Sequence, residues 1–109
     1  MAIAIGNVTT SASAVYTSSG NTVVTFLSFT NYSAVPQIAN VWIVPNGSSA
    51  SNLNLAITSL EITANGTSSG DTFQFYQGNE KLILGNGDTI QADCSNVNAV
   101  NSIVSYTSA

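Results

Sequence analysis

Val, Ile, Phe, Tyr and Thr come in short runs along this chain, and each run is closed by a cluster of Gly, Asn or Ser. β-branched and aromatic side chains fit a pleated, half-buried surface, while Gly, Asn and Ser favour chain reversal, so the pattern predicts strands separated by turns. The predicted strands are Ala2–Val8, Ala12–Thr17, Thr22–Asn31, Gln37–Val44, Leu53–Ile62, Thr72–Tyr76, Lys81–Leu84, Thr89–Cys94 and Val100–Thr107. No window repeats apolar residues at helical spacing between capping residues. So many short strands in 109 residues predict one all-β domain spanning residues 1–109, a sandwich or a barrel.

Ser18-Ser-Gly-Asn21 lies between two alternating runs and predicts a hairpin. Pro45-Asn-Gly47 and Asn65-Gly66 supply residues that tolerate positive φ, and Gly85-Asn-Gly-Asp88 predicts a tight antiparallel hairpin between Lys81–Leu84 and Thr89–Ala92. Gly70-Asp-Thr-Phe-Gln74 is echoed by Gly87-Asp-Thr-Ile-Gln91, which predicts one turn-to-strand device used twice. Strict alternation puts Val23, Leu27 and Phe29 on one face of their strand and Val24 and Phe26 on the other. In the next strand Val41 and Ile43 alternate with Ile38, Trp42 and Val44. A sheet that is apolar on both sides needs cover on both, from a second sheet and a loop within the domain, such as an N-terminal strand folded over the outer face, or from a neighbouring subunit.

Composition sharpens this picture. Hydrophobic residues make up 44% of the chain but charged residues only 6%, far below the usual quarter. The remaining surface must be Ser, Thr and Asn, and a net charge of −4 gives a free monomer little protection against self-association. The composition is that of a subunit in a larger assembly. Lys81 is the only basic residue, which argues against nucleic acid and anionic membrane surfaces as partners, because both are held largely through Lys and Arg. Met1-Ala-Ile-Ala-Ile-Gly6 has neither the basic segment nor the long apolar segment of a signal peptide, and Cys94 has no cysteine to pair with. The expectation is a mature chain starting at Met1 and folding in a reducing cytoplasm.

Candidate chemistry is sparse. Ser and Cys nucleophiles need a base, there is no His, and Lys81 singles out no particular Ser as its partner. The carboxylates are Glu61, Asp71, Glu80, Asp88 and Asp93; most sit at turns, where they read as punctuation rather than as a glycosidase pair. Asn86, Asp88 and Asp93 offer oxygen ligands to Ca²⁺, but the spacing fits no EF-hand loop, and Asp88 bonding its own turn is the simpler reading. Trp42, Tyr16, Tyr32, Tyr76 and Tyr106 would serve either a sugar-stacking platform or a core and interface. Asn-x-Ser/Thr sequons at Asn7, Asn31, Asn46 and Asn65 are what such a composition produces by chance, and Cys94 reads as a small buried apolar residue. No catalytic residue, metal or cofactor is expected, and the chain is not expected to be an enzyme.

Glu80–Asp93, reading E-K-L-I-L-G-N-G-D-T-I-Q-A-D and followed by Val100–Tyr106, resembles a pattern in small structural proteins of tailed bacteriophages. There, a segment reading roughly V-L-x-x-G-D-x-I-x-A precedes a last strand. Phe26–Ser33 (F-L-S-F-T-N-Y-S) followed by Val41–Gly47 (V-W-I-V-P-N-G) looks like the matching earlier part. The chain departs from the pattern at its end, where Ser105-Tyr-Thr-Ser-Ala109 replaces a closing Gly and Glu. The resemblance implies an immunoglobulin-like or jelly-roll-like antiparallel β-sandwich of about 7–9 strands. It further implies a virion component assembled in the host cytoplasm: a capsid decoration (cement) protein, or alternatively a neck, tail or fibre-associated part. Its partners would be the major capsid or tail protein and copies of itself; a host-surface glycan-binding module is the rival reading. The candidate interface residues are Ile3, Ile5, Val24, Phe26, Trp42 and Val44.

Overall fold

The computed structural model describes residues 2–66, 70–76 and 81–109. Every predicted strand is present, its ends displaced by no more than two residues: β1 (Ala2–Asn7), β2 (Ser13–Thr17), β3 (Thr22–Asn31), β4 (Gln37–Val44), β5 (Leu55–Ile62), β6 (Thr72–Phe75), β7 (Leu82–Leu84), β8 (Thr89–Asp93) and β9 (Val100–Ser108). They form two antiparallel sheets, ordered β1-β9-β3-β6 and β2-β8-β4-β5. β6 pairs with Leu27–Thr30 and β7 with Thr22–Val24, so these two short strands share one edge of β3. The pairs β1·β9, β2·β8, β3·β6/β7 and β4·β5 nest like one long hairpin rolled across two sheets, which is the jelly-roll order. An immunoglobulin-like sandwich keeps its first two strands in one sheet, whereas β1 and β2 lie in opposite sheets here.

Two hairpin predictions are corrected. β2 and β3 lie in different sheets, as do β7 and β8, so Ser18–Asn21 and Gly85–Asp88 are corners that carry the chain across the sandwich. The corners lock on each other: Gly87 N–H donates to Ser18 O and Ser18 N–H to Asp88 O, both at 2.9 Å, and Gly20 N–H donates to Asn86 Oδ1 at 2.8 Å. Turn residues set a change of direction; which sheet the chain rejoins depends on where its apolar face finds cover.

The repeated Gly-Asp-Thr device is real. Gly70 and Gly87 adopt φ of 94° and 84°, and the Asp after each accepts a backbone N–H from earlier in the chain, from Gly66 to Asp71 Oδ2 at 3.3 Å and from Gly85 to Asp88 Oδ2 at 2.8 Å. Asp88 Oδ1 also accepts the Asn46 N–H at 2.8 Å, which ties the end of β4 to the same corner. A Cβ at Gly87 would lie 2.5 Å from Asn46 Cγ. Gly87→Ala is therefore expected to lower the unfolding free energy by about 1–2 kcal/mol from backbone strain. The collision adds to this, and adding Asn46→Ala should recover the collision part alone in urea titrations.

Between the sheets, Val24, Leu27, Phe29, Val100 and Val104 meet Ala39, Val41, Ile62, Ile90 and Ala92 in one buried cluster. Tyr16 and Tyr106 bridge the layers with ring centroids 4.6 Å apart, and Phe29 meets Phe75 edge-on at 6.3 Å. One irregularity organises this core. Val24 faces Tyr106 while Phe26 faces Ser105, so Thr25 is an extra residue that bulges from β3 and reverses the alternation. Val24 thereby joins Leu27 and Phe29 inside, and Val23 joins Phe26 outside. The strand is apolar inward at Val24, Leu27 and Phe29, with Thr22 and Asn31 buried at its ends, and still bears Val23 and Phe26 outward.

Candidate interaction surface

The outer face of β1-β9-β3 follows from register. Ile3 lies beside Ser105 and Ser105 beside Phe26, while Ile5 lies beside Ile103 in the next row. At one end Val23 is flanked by Thr107 and by Ile83 of β7. Ile3, Ile5 and Ile83 are 67%, 78% and 71% exposed, and Phe26, Ile103 and Val23 are half-buried between them. The opposite end is polar: the Tyr32 hydroxyl donates to Asn7 Oδ1 at 2.8 Å.

Ile3, Ile5 and Phe26, three of the residues predicted to make contacts, thus share one surface. Two others are corrected. Val24 is wholly buried, turned inward by the bulge at Thr25, and Val44 is 1% exposed, so neither is available to a partner. Trp42 stands half-buried in the other sheet, opposite Gln91, and is not part of this face. Sequence reasoning missed Ile103, Val23 and Ile83. Ile103 had a legible signal, since it breaks the inward phase of Val100, Ser102, Val104 and Tyr106; Val23 did not, because only the bulge turns it outward. β1 does not fold over the outer face, as one expectation had it, but pairs edge to edge with β9.

Electrostatics separate the two sheets. Among the described residues the carboxylates belong to Glu61 on β5, Asp71 before β6, Asp88 in the β7–β8 corner and Asp93 on β8. None lies on β1, β3 or β9; Lys81 precedes β7, and Glu80 lies outside the described residues. Asp93 accepts the Asn40 amide at 2.9 Å, and Asn40 Oδ1 in turn accepts the Ser59 N–H at 3.0 Å, where β5 bulges. The second sheet's outer face therefore carries Asp93 and Glu61 beside Trp42 and the 42%-exposed Ile38, whereas β1, β9 and β3 of the first sheet carry no charge.

No pocket indents the described residues, and no group of three or more His, Cys, Asp or Glu among them is placed to hold a metal ion. Asp88 spends both carboxylate oxygens on backbone N–H groups, as the turn-bonding reading expects. The aromatic residues do not gather on one surface: Tyr16 and Tyr106 stack in the interior, Tyr32 is exposed at one end, and Trp42 lies on the second sheet's outer face. Cys94 is buried, its thiol donating to Asn96 O at 3.1 Å; burial pushes the thiol pKa up, with the charge of Asp93 adding to the effect. Comparison with protein-family models, with curated proteins and with solved structures finds no match to this chain.

Proposed function

We propose that this protein is a non-enzymatic structural component of a tailed-phage virion, a decoration or cement protein that stabilises the capsid by laying its β1-β9-β3 face against a neighbouring subunit. One observation carries the reading: a continuous outer face bearing Ile3, Ile5, Phe26 and Ile103, with no charged residue on its three strands. Apolar contact contributes about 25 cal/mol per Å² buried before the cost of association. A face of this kind holds a subunit weakly by itself and firmly when many copies are engaged at once. Jelly rolls recur in viral capsid and lectin domains, and that likeness is one of architecture, which by itself assigns no function.

The test is the copy number of this chain in purified particles, measured by quantitative mass spectrometry. Many copies per particle are expected of a decoration protein; a handful would assign it to the neck, tail or a fibre, and none would sink the virion reading. Ile103→Asp is expected to strip the protein from particles while the chain stays folded, its melting temperature lowered by about 4–8 °C, because the half-buried side chain lies outside the core and its loss costs about 1 kcal/mol. Trp42→Ala probes the opposite sheet, and unaltered particle binding would remove Trp42 from the contact.

A further inference from the structure

Each edge of a sandwich exposes backbone N–H and C=O groups that would pair with any strand offered, and proteins guard such edges with bulges, charges, prolines or very short strands. Three of the four edges here are guarded. β2 shifts register between Ala14 and Tyr16. β5 carries two register shifts, the positive φ of Ser59 and the charge of Glu61. The edge beyond β3 is split between the short strands β6 and β7, flanked by Asp71 and Lys81. β1 has none of these devices: Ala2–Asn7 runs without bulge, proline or charge in continuous register with β9.

The outward groups of β1 can be named. Val8 N–H donates to Val100 O at 2.9 Å, and antiparallel alternation then places the β9-bonded positions at Gly6, Ala4 and Ala2. The N–H and C=O of Ile3, Ile5 and Asn7 face the free edge. A second antiparallel β1 strand, related by a two-fold axis through Ala4, sets Ile3 opposite the second copy's Ile5, and Ile5 opposite its Ile3, in hydrogen-bonding register. All four isoleucines then line one outer face, continuous with Ile103 and Phe26 of both copies. The net charge of −4 opposes this only weakly, because no carboxylate lies on β1, β9 or β3 and salt screens the more distant charges.

We infer that β1 is a self-docking edge through which two copies of this chain join their β1-β9-β3 sheets into one. The inference rests on reading the chain as an assembly subunit and names the contact it makes with its own kind. Sedimentation velocity of the full chain over a concentration series should show a reversible dimer. Ile5→Pro removes an N–H that points to the free edge and spares the bonds to β9, so it should weaken dimerisation about tenfold or more with monomer melting unchanged. Ala4→Pro, which removes a bond to β9, should instead lower stability. Should Ile5→Pro fail to fold, hydrogen exchange of the unaltered chain decides the matter: the Ile3 and Ile5 amides gain protection as concentration rises, while the Ala4 and Gly6 amides are protected throughout. A chain that stays monomeric, a dimer indifferent to Ile5→Pro, or fast exchange at Ile3 and Ile5 at every concentration overturns the inference. A monomer that is abundant on particles defeats the edge contact alone, and a β1 dimer absent from particles defeats the virion reading alone.

Discussion

Asn31→Asp is expected to lower the unfolding free energy by about 3–5 kcal/mol at neutral pH, the loss that follows when a buried charge has no compensating partner. Asn31 has no exposed surface, yet every polar atom of its side chain is matched. Nδ2 donates to Val35 O at 2.8 Å and to Ile62 O at 3.1 Å, while Oδ1 accepts the Ser33 N–H at 2.9 Å and the Ser33 hydroxyl at 2.7 Å. The amide thus clips the end of β3 to the Ser33–Val35 turn and to the end of β5 in the opposite sheet. A carboxylate keeps the acceptor half and turns a second acceptor towards two carbonyl oxygens. Burial holds the folded-state pKa of the new Asp above its unfolded value of about 3.9, so the native state binds the extra proton. Stability must therefore fall as pH rises from the unfolded to the folded pKa, and urea titrations of the variant should show the deficit shrinking on acidification, against the trend of an ordinary surface Asp. A pH-independent deficit would mean that the carboxylate escapes to solvent.

Phe29→Ala should cost a similar amount, about 3–5 kcal/mol, through a cavity rather than a charge. Phe29 lies towards the end of β3, flanked by β9 and β6, and is wholly buried with its ring edge-on to Phe75. The neighbouring layers are held by their own hydrogen-bonded ladders and can close only part of the space. Phe26→Ala, three residues away on the outer face, removes the same ring from a half-buried site and should cost only about 1 kcal/mol. The contrast between two phenylalanines of one strand checks the bulge at Thr25 directly. Comparable losses would mean that the two side chains share a face.

Much of the architecture was legible in the residues. Runs such as Val100–Thr107 and the chain reversal at Gly85–Asp88 are read locally, because β-branched crowding and the positive φ of Gly act within a few residues, whereas the hairpin expected there proved to be a corner between sheets. Asp88 as a turn-bonding acceptor was legible for the same reason. The candidate surface was half legible: Ile3 and Ile5 stand out in a strand otherwise made of Ala, Gly and Asn, whereas Val24 and Val44 were misplaced. An alternation argument carries a phase, and the one extra residue at Thr25 reverses it for everything beyond.

By itself the sequence determined that this chain is a set of short strands with an almost uncharged surface and almost no titratable chemistry. Those properties are sums over residues, or depend on neighbours along the chain. Only the tertiary structure decided that β2 and β3 part company at a tight corner, that the roll is a jelly roll, and that β1 is left as a bare edge. Strand partners are chosen by burial between segments as far apart as Ala2 and Tyr106, and no local signal encodes which distant face will supply the cover.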